Sequence, residues 1–327
     1  MNTPMTHHEP LIDLYFRPEM AVQVDPSGNY SRSPSKPRRF VEHVAHLPLA
    51  AHLHWTDFSP LEHADFRLAH TAAYVEGFFG GQAPHATANG LRWSPAFAET
   101  VRYTNGSLVA AVLGALEHPS RIALSPTSGF HHAQPKGGGG FCTFSGQVIA
   151  ALRAYRERGA RGAWIDLDGH FGNSIEDSRA FAPDLDAAIP AHAHINPQGR
   201  HQAYLRDLEA RLERLGRHVL RGEIDYVGFA HGADSHEWDD LGSQCSTDEW
   251  LASSRLVYGA IAGWSRALGR PLPVVLALFG GYREDAPDSV LELHAADVSI
   301  ALSTLAGLSV EHTPNVVPPR GAAQNAR

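Results

Sequence analysis

The spacing of apolar residues predicts alternating helices and strands over most of the chain. Apolar positions that recur every three to four residues indicate helices, and short runs of Val, Ile, Leu and aromatic residues indicate buried strands. The predicted helices span residues 64–79, 94–116, 145–158, 202–221, 247–268 and 289–305. The predicted strands span residues 121–125, 162–168, 225–230 and 273–279. Because strands that alternate with helices are joined by right-handed crossovers, we expect an α/β fold, a mostly parallel sheet between two helical layers.

The chain of 327 residues is long enough to bury one large core, so we predict a single three-layer domain. Residues 1–40 are rich in Pro, Ser and His and are predicted to form an N-terminal arm and entrance loop. Residues 41–312 carry the regular pattern and form the predicted main domain. Residues 313–327 are predicted to be a disordered tail.

Composition narrows the range of partners. The formal net charge is −8, and the longest basic run is Lys36-Pro37-Arg38-Arg39, which argues against a nucleic-acid binder. No apolar run approaches the roughly 20 residues that span a bilayer, so no membrane contact is expected. The two cysteines, Cys142 and Cys245, form no disulfide framework, and the first residues do not resemble a secretory leader. We therefore expect a cytoplasmic protein.

The segment from Trp164 to His170 places Asp166, Asp168 and His170 at period-2 spacing where an apolar strand is predicted to end. If the strand continues that far, the three side chains point the same way. Carboxylates and an imidazole at the carboxyl end of a strand can present a metal ion in an open α/β sheet. The alternative is a solvated strand end whose carboxylates are satisfied by other groups.

Further chemically suggestive motifs follow other predicted strands, where catalytic groups collect in such sheets. They are Ser128-Gly129-Phe130-His131-His132, Gly140-Phe141-Cys142, Gly232-Ala233-Asp234, Asp239-Asp240-Leu241-Gly242 and Gly280-Gly281-Tyr282. Taken alone, each has a structural explanation, such as a turn aspartate or a packed aromatic residue. Together and in this order they resemble the zinc-dependent histone deacetylase family, which includes bacterial histone deacetylase-like and acetylpolyamine amidohydrolases of the arginase/deacetylase fold. The resemblance covers roughly residues 60–300.

The resemblance implies a Zn²⁺ site and an acid–base apparatus. The implied metal ligands are Asp168, His170 and Asp234. The implied catalytic residues are His131 paired with Asp166, His132 paired with Asn173 and acting as general base, and Tyr282 as donor to the oxyanion. The implied lining of the substrate channel is Gly140, Phe141, Leu241, Gly280 and Gly281. The family also often holds a structural K⁺ at the carboxylate matching Asp166.

By resemblance, the chain is expected to be a zinc-dependent amidohydrolase. It would remove an acetyl or other acyl group from an amine in a small molecule or peptide, such as acetyl-lysine or an acetylpolyamine, and it could form a homo-oligomer. One alternative is a non-catalytic acyl-amine or metal-binding member of the fold. The other is a binuclear manganese ureohydrolase, but Gly172 stands where those enzymes carry a further aspartate. Leu241 stands where polyamine-preferring eukaryotic relatives carry a glutamate, and Phe171 replaces a common second histidine.

Overall fold

The computed structural model describes residues 11–22 and 31–319. Seven parallel strands form one sheet in the order β2-β1-β3-β7-β6-β4-β5, which confirms the predicted α/β class. The strands are β1 (Ile12–Leu14), β2 (Leu53–Trp55), β3 (Ile122–Ser125), β4 (Gly162–Asp166), β5 (His194–Ile195), β6 (Tyr226–His231) and β7 (Val274–Leu278).

Helices flank the sheet. They are α1 (Lys36–Val44), α2 (His63–Phe66), α3 (Ala72–Phe79), α4 (Pro95–Glu117), α5 (Gly146–Arg158), α6 (Ser174–Ser178), α7 (Leu185–Ala188), α8 (His201–Leu220), α9 (Thr247–Leu268) and α10 (Pro287–Ala306). Helix α4 packs on α5 and on strand β3, whereas α9 packs between α8 and α10.

The central strands β4, β6 and β7 are buried along their whole length, as expected for parallel strands covered on both faces. Trp164 of β4 is fully buried against Gly228 of β6, where a Cβ would lie 2.5 Å from the indole ring. Because these three strands are neighbours and parallel, their carboxyl ends meet at one edge of the sheet. The loops after Asp166, His231 and Leu278 therefore converge.

Two predicted elements differ from the structure in ways that affect the site or the packing. Strand β4 ends at Asp166 and not at residue 168, so strand alternation does not orient Asp168 and His170. The helix predicted over 64–79 is two helices, α2 and α3. Tertiary contacts break it, because the Thr71 N–H donates to the Pro135 carbonyl and the Ser145 N–H donates to His70 Nε2. The Thr71 side chain then caps α3.

The predicted N-terminal arm contributes to the core, which corrects the boundary at residue 40. Strand β1 lies between β2 and β3, and Arg121 Nε donates to Asp13 Oδ2 at 2.7 Å. Helix α1 begins within the arm, at Lys36. A strand of three residues is too short to show a period, which is why the pattern did not reveal it. Residues 1–10 and 23–30 of the arm lie outside the described residues.

Residues 313–319, which were expected to be disordered, pack against α10 without regular secondary structure. The Val317 N–H donates to Ser289 Oγ at 3.0 Å, and Arg283 Nη2 donates to the Val317 carbonyl at 3.0 Å. Disorder is thus not what the structure shows for this part of the predicted tail. The remainder, residues 320–327, lies outside the described residues.

Among the described residues, one helix, α10, has the length and hydropathy of a membrane span. However, 67% of its apolar window is buried inside the protein, as is usual for a core helix.

We predict that Ile12→Ala lowers the free energy of unfolding by about 2–5 kcal/mol, because the side chain is fully buried within the sheet. Urea denaturation measures the change. Leu220→Ala, at a 49% exposed position, is the control and should change stability by less than about 0.5 kcal/mol. An Ile12→Ala effect as small as that of the control would show that β1 is a dispensable arm.

Candidate active site

Asp168, His170 and Asp234 converge at the carboxyl edge of the sheet. His170 Nδ1 lies 3.0 Å from Asp168 Oδ1 and 3.0 Å from Asp234 Oδ2. The candidate ligand atoms of the three residues all lie within 4.8 Å of one another. Both carboxylates are buried, whereas the His170 side chain is 37% exposed. The three groups therefore form a cluster of possible metal ligands that is accessible to solvent on the His170 side.

Backbone amides hold the two carboxylates in place. The Gly280 N–H donates to Asp168 Oδ2 at 2.8 Å, and the Gly169 N–H donates to Asp234 Oδ1 at 2.9 Å. The close approach depends on glycine, because a Cβ on Gly280 would lie 2.2 Å from the Asp234 carboxylate. A Cβ on Gly232 would lie 2.2 Å from Asp234 Oδ1. Loops that follow β4, β6 and β7 thus all contribute to one site.

The electrostatics of this cluster suit a divalent cation. Burial and the negative charge of Asp168 raise the pKa of Asp234 to about 8. Burial also opposes the charged form of Asp168, but His131 and His170 hold its pKa well below the ordinary value. Hydrogen bonds to Asp168 and then Asp234 raise the pKa of His170 to about 10. Without a metal, a proton on the imidazole offsets the buried carboxylates. A divalent ion bound by the same atoms would replace that proton, and two carboxylates with one imidazole suit zinc.

The two histidines of the His-His pair have the partners that the sequence predicted. His131 Nδ1 lies 2.9 Å from Asp166 Oδ2, and His132 Nδ1 lies 2.8 Å from Asn173 Oδ1. The two rings are neighbours, with centroids 4.1 Å apart. His131 Nε2 is also 3.6 Å from Asp168 Oδ1, and the His132 ring centroid is 6.0 Å from that of His170, so both dyads adjoin the candidate metal centre.

The different partners give the two imidazoles opposite proton affinities. Burial lowers the pKa of His131, but the Asp168 and Asp166 carboxylates outweigh it and raise this pKa to about 9. Burial and the neighbouring His131 lower the pKa of His132 below its ordinary value. At neutral pH His131 is therefore protonated and His132 is free to accept a proton.

Tyr282 lies on the loop after β7 and faces the same site. Its ring centroid is 6.5 Å from that of His170 and 5.5 Å from that of Phe141. The Tyr282 N–H donates to Asp239 Oδ2 at 2.6 Å, which holds the loop. Burial, with Asp168 and Asp234 nearby, raises the pKa of Tyr282 well above its ordinary value. The phenol therefore keeps its proton and can donate a hydrogen bond.

Four of the five predicted channel residues adjoin the candidate site: Gly140, Phe141, Gly280 and Gly281. Gly140 and Phe141 both have positive φ (49° and 63°), and a Cβ on Gly140 would lie 2.5 Å from the His132 ring. Gly281, at φ 141°, leaves no room for a Cβ beside Val290. Leu241 is 40% exposed on a loop joined to the Tyr282 loop, where the Asp240 N–H donates to the Tyr282 carbonyl. Phe141 is thus an apolar neighbour of Tyr282, and a role for these residues as a substrate channel stays a prediction.

Lys36 was not predicted as a site residue. It is buried, and its Nζ donates to the carbonyls of Phe279 at 2.6 Å and Gly280 at 3.2 Å, directly before the Tyr282 turn. Burial lowers the pKa of Lys36 to about 8, against the opposing effect of Asp234 and Asp168. Lys36 lies within residues 1–40, which were predicted to be an arm and entrance loop. The apolar spacing of Phe40, Val41 and Val44 could have indicated the helix α1 that begins at Lys36.

His192 and His194, which are two positions apart, have separate partners. His194 Nδ1 lies 3.2 Å from Glu176 Oε1, whereas His192 stacks on His218, so the two do not form a ligand pair with each other. Cys142 is buried, and burial raises its thiol pKa. Asp166 Oδ1 accepts a hydrogen bond from the Asp168 N–H, and a K⁺ site at Asp166 stays a prediction.

Comparison with known proteins places these features in context. The histone deacetylase domain family matches residues 31–186. Histone deacetylase 14, chloroplastic, of Arabidopsis thaliana is 30% identical over 171 residues, which are 43% of this chain and 40% of that protein. Histone deacetylase 8 of Xenopus laevis is 33% identical over 76 residues, 23% of each chain. The chain therefore spans less than half the length of these curated relatives.

Solved structures with the same fold cover more of the chain. The HDA15 HD domain matches with a TM-score of 0.67 at 15% identity, covering 95% of this chain and 91% of that chain. An acetylpolyamine aminohydrolase from Burkholderia pseudomallei matches with a TM-score of 0.63 at 20% identity, covering 90% and 99%. At these identities the likeness shows a shared fold.

We predict that Gly280→Ala weakens metal binding roughly 10- to 100-fold, because the added methyl displaces the Asp234 carboxylate. At a free Zn²⁺ concentration buffered about tenfold above the wild-type Kd, the variant should retain roughly 0.4–0.8 equivalent less zinc. Gly137→Ala is the control, since a Cβ there meets nothing within 4 Å. Equal zinc content in both variants would contradict the assignment of Asp234 as a ligand.

Proposed function

We propose that the chain is a histone deacetylase-like, zinc-dependent amidohydrolase that removes an acetyl or other acyl group from an amine. One observation carries the proposal. A buried donor set of two carboxylates and one imidazole lies beside two histidines with different partners and a protonated tyrosine. Hydrolysis of an amide at neutral pH needs an activated water, a proton for the leaving amine and a stabilised oxyanion, and these groups supply all three.

Asp168, His170 and Asp234 would hold the zinc ion through three protein ligands. This leaves the open side for water and the substrate carbonyl. When bound, the ion would supply Lewis-acid polarisation of the carbonyl and would lower the pKa of the attacking water. Three protein ligands and an open position are typical of catalytic zinc sites.

His132 is the proposed general base and acid. Its lowered pKa leaves it neutral at pH 7, so it can accept the proton of the attacking water and then deliver that proton to the leaving amine. Asn173 fixes the ring through Nδ1 without adding a charge, and Nε2 is left for the reaction. His131, whose Nδ1 is hydrogen-bonded to the Asp166 carboxylate, is the proposed electrostatic partner beside the reacting groups.

Tyr282 is the proposed donor to the oxyanion. Burial raises the pKa of Tyr282 well above its ordinary value, so the O–H is present at neutral pH. The Asp239 carboxylate and the Lys36 ammonium both bind backbone groups of the loop that carries it, so the phenol is held in position before substrate binds. A donor already in place stabilises developing charge without a cost of reorganisation.

The local packing favours one metal ion over the two of a manganese ureohydrolase. A Cβ at Gly172 would lie 2.3 Å from Asp166 Oδ2 and 3.1 Å from His131 Nδ1, so a further carboxylate side chain there would collide with the His131 dyad. Leu241 and Phe171 are exposed apolar side chains. They favour an acyl-lysine-like substrate over a polyamine, because a polycation would gain no charged partner from them.

We predict that Tyr282→Phe lowers kcat for a fluorogenic acetyl-lysine amide by about 10²- to 10³-fold, because one oxyanion donor is lost. Zinc content should stay at the wild-type level. Tyr155→Phe, at a half-buried position in the last turn of α5, is the control and should leave kcat unchanged. Wild-type kcat in Tyr282→Phe would rule out the proposed role, and absence of turnover in zinc-loaded wild type with any acylated amine would favour a binding protein.

We predict that the double variant Asn173→Asp/Asp177→Asn moves the acidic limb of kcat/KM to higher pH by about one unit or more. Asn173 Nδ2 donates to Asp177 Oδ2 at 2.6 Å, so the exchange keeps the net charge and moves the negative charge to His132 Nδ1. A carboxylate partner raises the pKa of an imidazole, and the base works only when neutral, so activity is lost at a higher pH as the pH falls.

Asp177→Asn alone is the matched control and should leave the acidic limb close to that of the wild type. If the limb moves in neither variant, His132 is not the group whose protonation limits the reaction on the acidic side.

A further inference from the structure

A second group of ligating side chains lies away from the site described above and shares no residue with it. His43 is in the last turn of α1, Glu292 is on α10, and His312 follows α10 in the C-terminal segment. We propose that these three residues bind a divalent transition-metal ion such as Zn²⁺, and that the ion ties the C-terminal segment to the two helices.

The distances match those between ligands of one metal ion. His43 Nε2 lies 3.3 Å from Glu292 Oε1, and His312 Nε2 lies 2.9 Å from Glu292 Oε2. Ligating atoms of all three residues lie within 4.8 Å of one another. Two ligands held at about 2.0 Å from a tetrahedral zinc are about 3.3 Å apart, so only small side-chain shifts are needed to admit the ion.

One candidate ligand atom, His43 Nε2, has neither a solvent contact nor a hydrogen-bond partner among the described residues. His43 Nε2 is inaccessible to solvent and forms no hydrogen bond of acceptable geometry, despite its nearness to Glu292. A buried polar atom without a partner is unfavourable, and coordination to a metal would satisfy it. The Glu292 carboxylate is also held by the backbone, because the Asn315 N–H donates at 3.1 Å to Oε2, the oxygen that faces His312. Such an outer hydrogen bond orients a ligating carboxylate.

The donor set also indicates the class of ion. Two imidazole nitrogens and one carboxylate are the ligands of many zinc sites, whereas Ca²⁺ and Mg²⁺ prefer oxygen ligands alone. The side chains of His43, Glu292 and His312 are 20%, 18% and 13% exposed, so water can complete the coordination.

A third cluster, His192, His218 and Glu223, meets the same distance limit but is less suited to a metal. The two imidazole rings stack with centroids 3.4 Å apart. In addition, Arg221 Nη2 lies 2.8 Å from His218 Nδ1 and brings a positive charge into the group. This cluster therefore provides a matched control with the same residue types.

The test is the number of Zn²⁺ ions retained per chain after loading and gel filtration, measured by elemental analysis of the full-length protein. Four variants are compared: His43→Gln/His312→Gln, Asp168→Asn/Asp234→Asn, all four substitutions together, and His192→Gln/His218→Gln. We expect two ions in the wild type and in the His192/His218 variant, one in each of the first two variants, and none when all four substitutions are combined. Acyl-amide hydrolysis by the His43/His312 variant should stay within twofold of the wild type.

The same zinc content in the His43/His312 variant as in the wild type would overturn the proposal. In case that variant unfolds, the Asp168→Asn/Asp234→Asn protein provides a second measurement. Zn²⁺ should raise its Tm and slow proteolysis within residues 313–319, and Co²⁺ should give the visible spectrum of a tetrahedral site. Absence of all three effects would also overturn the proposal, whatever becomes of the amidohydrolase assignment.

Discussion

The repulsion between the buried carboxylates of Asp168 and Asp234 is the constraint on which the rest of the site depends. Burial and the negative charge of Asp168 raise the pKa of Asp234 to about 8. Positive charge on His131 and His170 favours the ionised form of Asp168. Backbone amides of Gly169 and Gly280 hold the two groups together. Positions 232 and 280 require glycine, because a Cβ on Gly232 or Gly280 would overlap the Asp234 carboxylate. The parallel sheet makes this geometry attainable, since β4, β6 and β7 are neighbours and their loops meet at one edge.

Neighbouring charges also set the proton affinities of the two histidine dyads. A carboxylate behind His131 and an amide behind His132 separate the proton affinities of two adjacent rings, one raised and one lowered. One imidazole can then remain charged while the other exchanges a proton, which is what a hydrolytic reaction at neutral pH requires. Lys36 and Asp239 serve this arrangement indirectly, by fixing the backbone that carries Tyr282.

Much of the fold could be predicted from apolar spacing, because the long helices and central strands are strongly periodic. The short β1 and the break at residues 67–71 could not, since one has too few residues to show a period and the other follows from contacts of His70 and Thr71.

The dyad partners Asp166 and Asn173 were inferred from family resemblance and are found at hydrogen-bonding distance. The reasoning from strand alternation was wrong, because β4 ends at Asp166 and the turn after it brings Asp168 and His170 together. Lys36 was missed because its partners are carbonyls over 240 positions away in the chain.

The most direct test is the crystal structure of the zinc-loaded protein, with anomalous diffraction recorded at the zinc absorption edge. We predict an anomalous peak bonded to Asp168, His170 and Asp234 at about 2.0–2.2 Å, with His170 Nδ1 as the nitrogen ligand and an open position facing Tyr282. A crystal with no anomalous peak at this edge of the sheet, in which His170 Nδ1 still lies between the two carboxylates, would contradict the account.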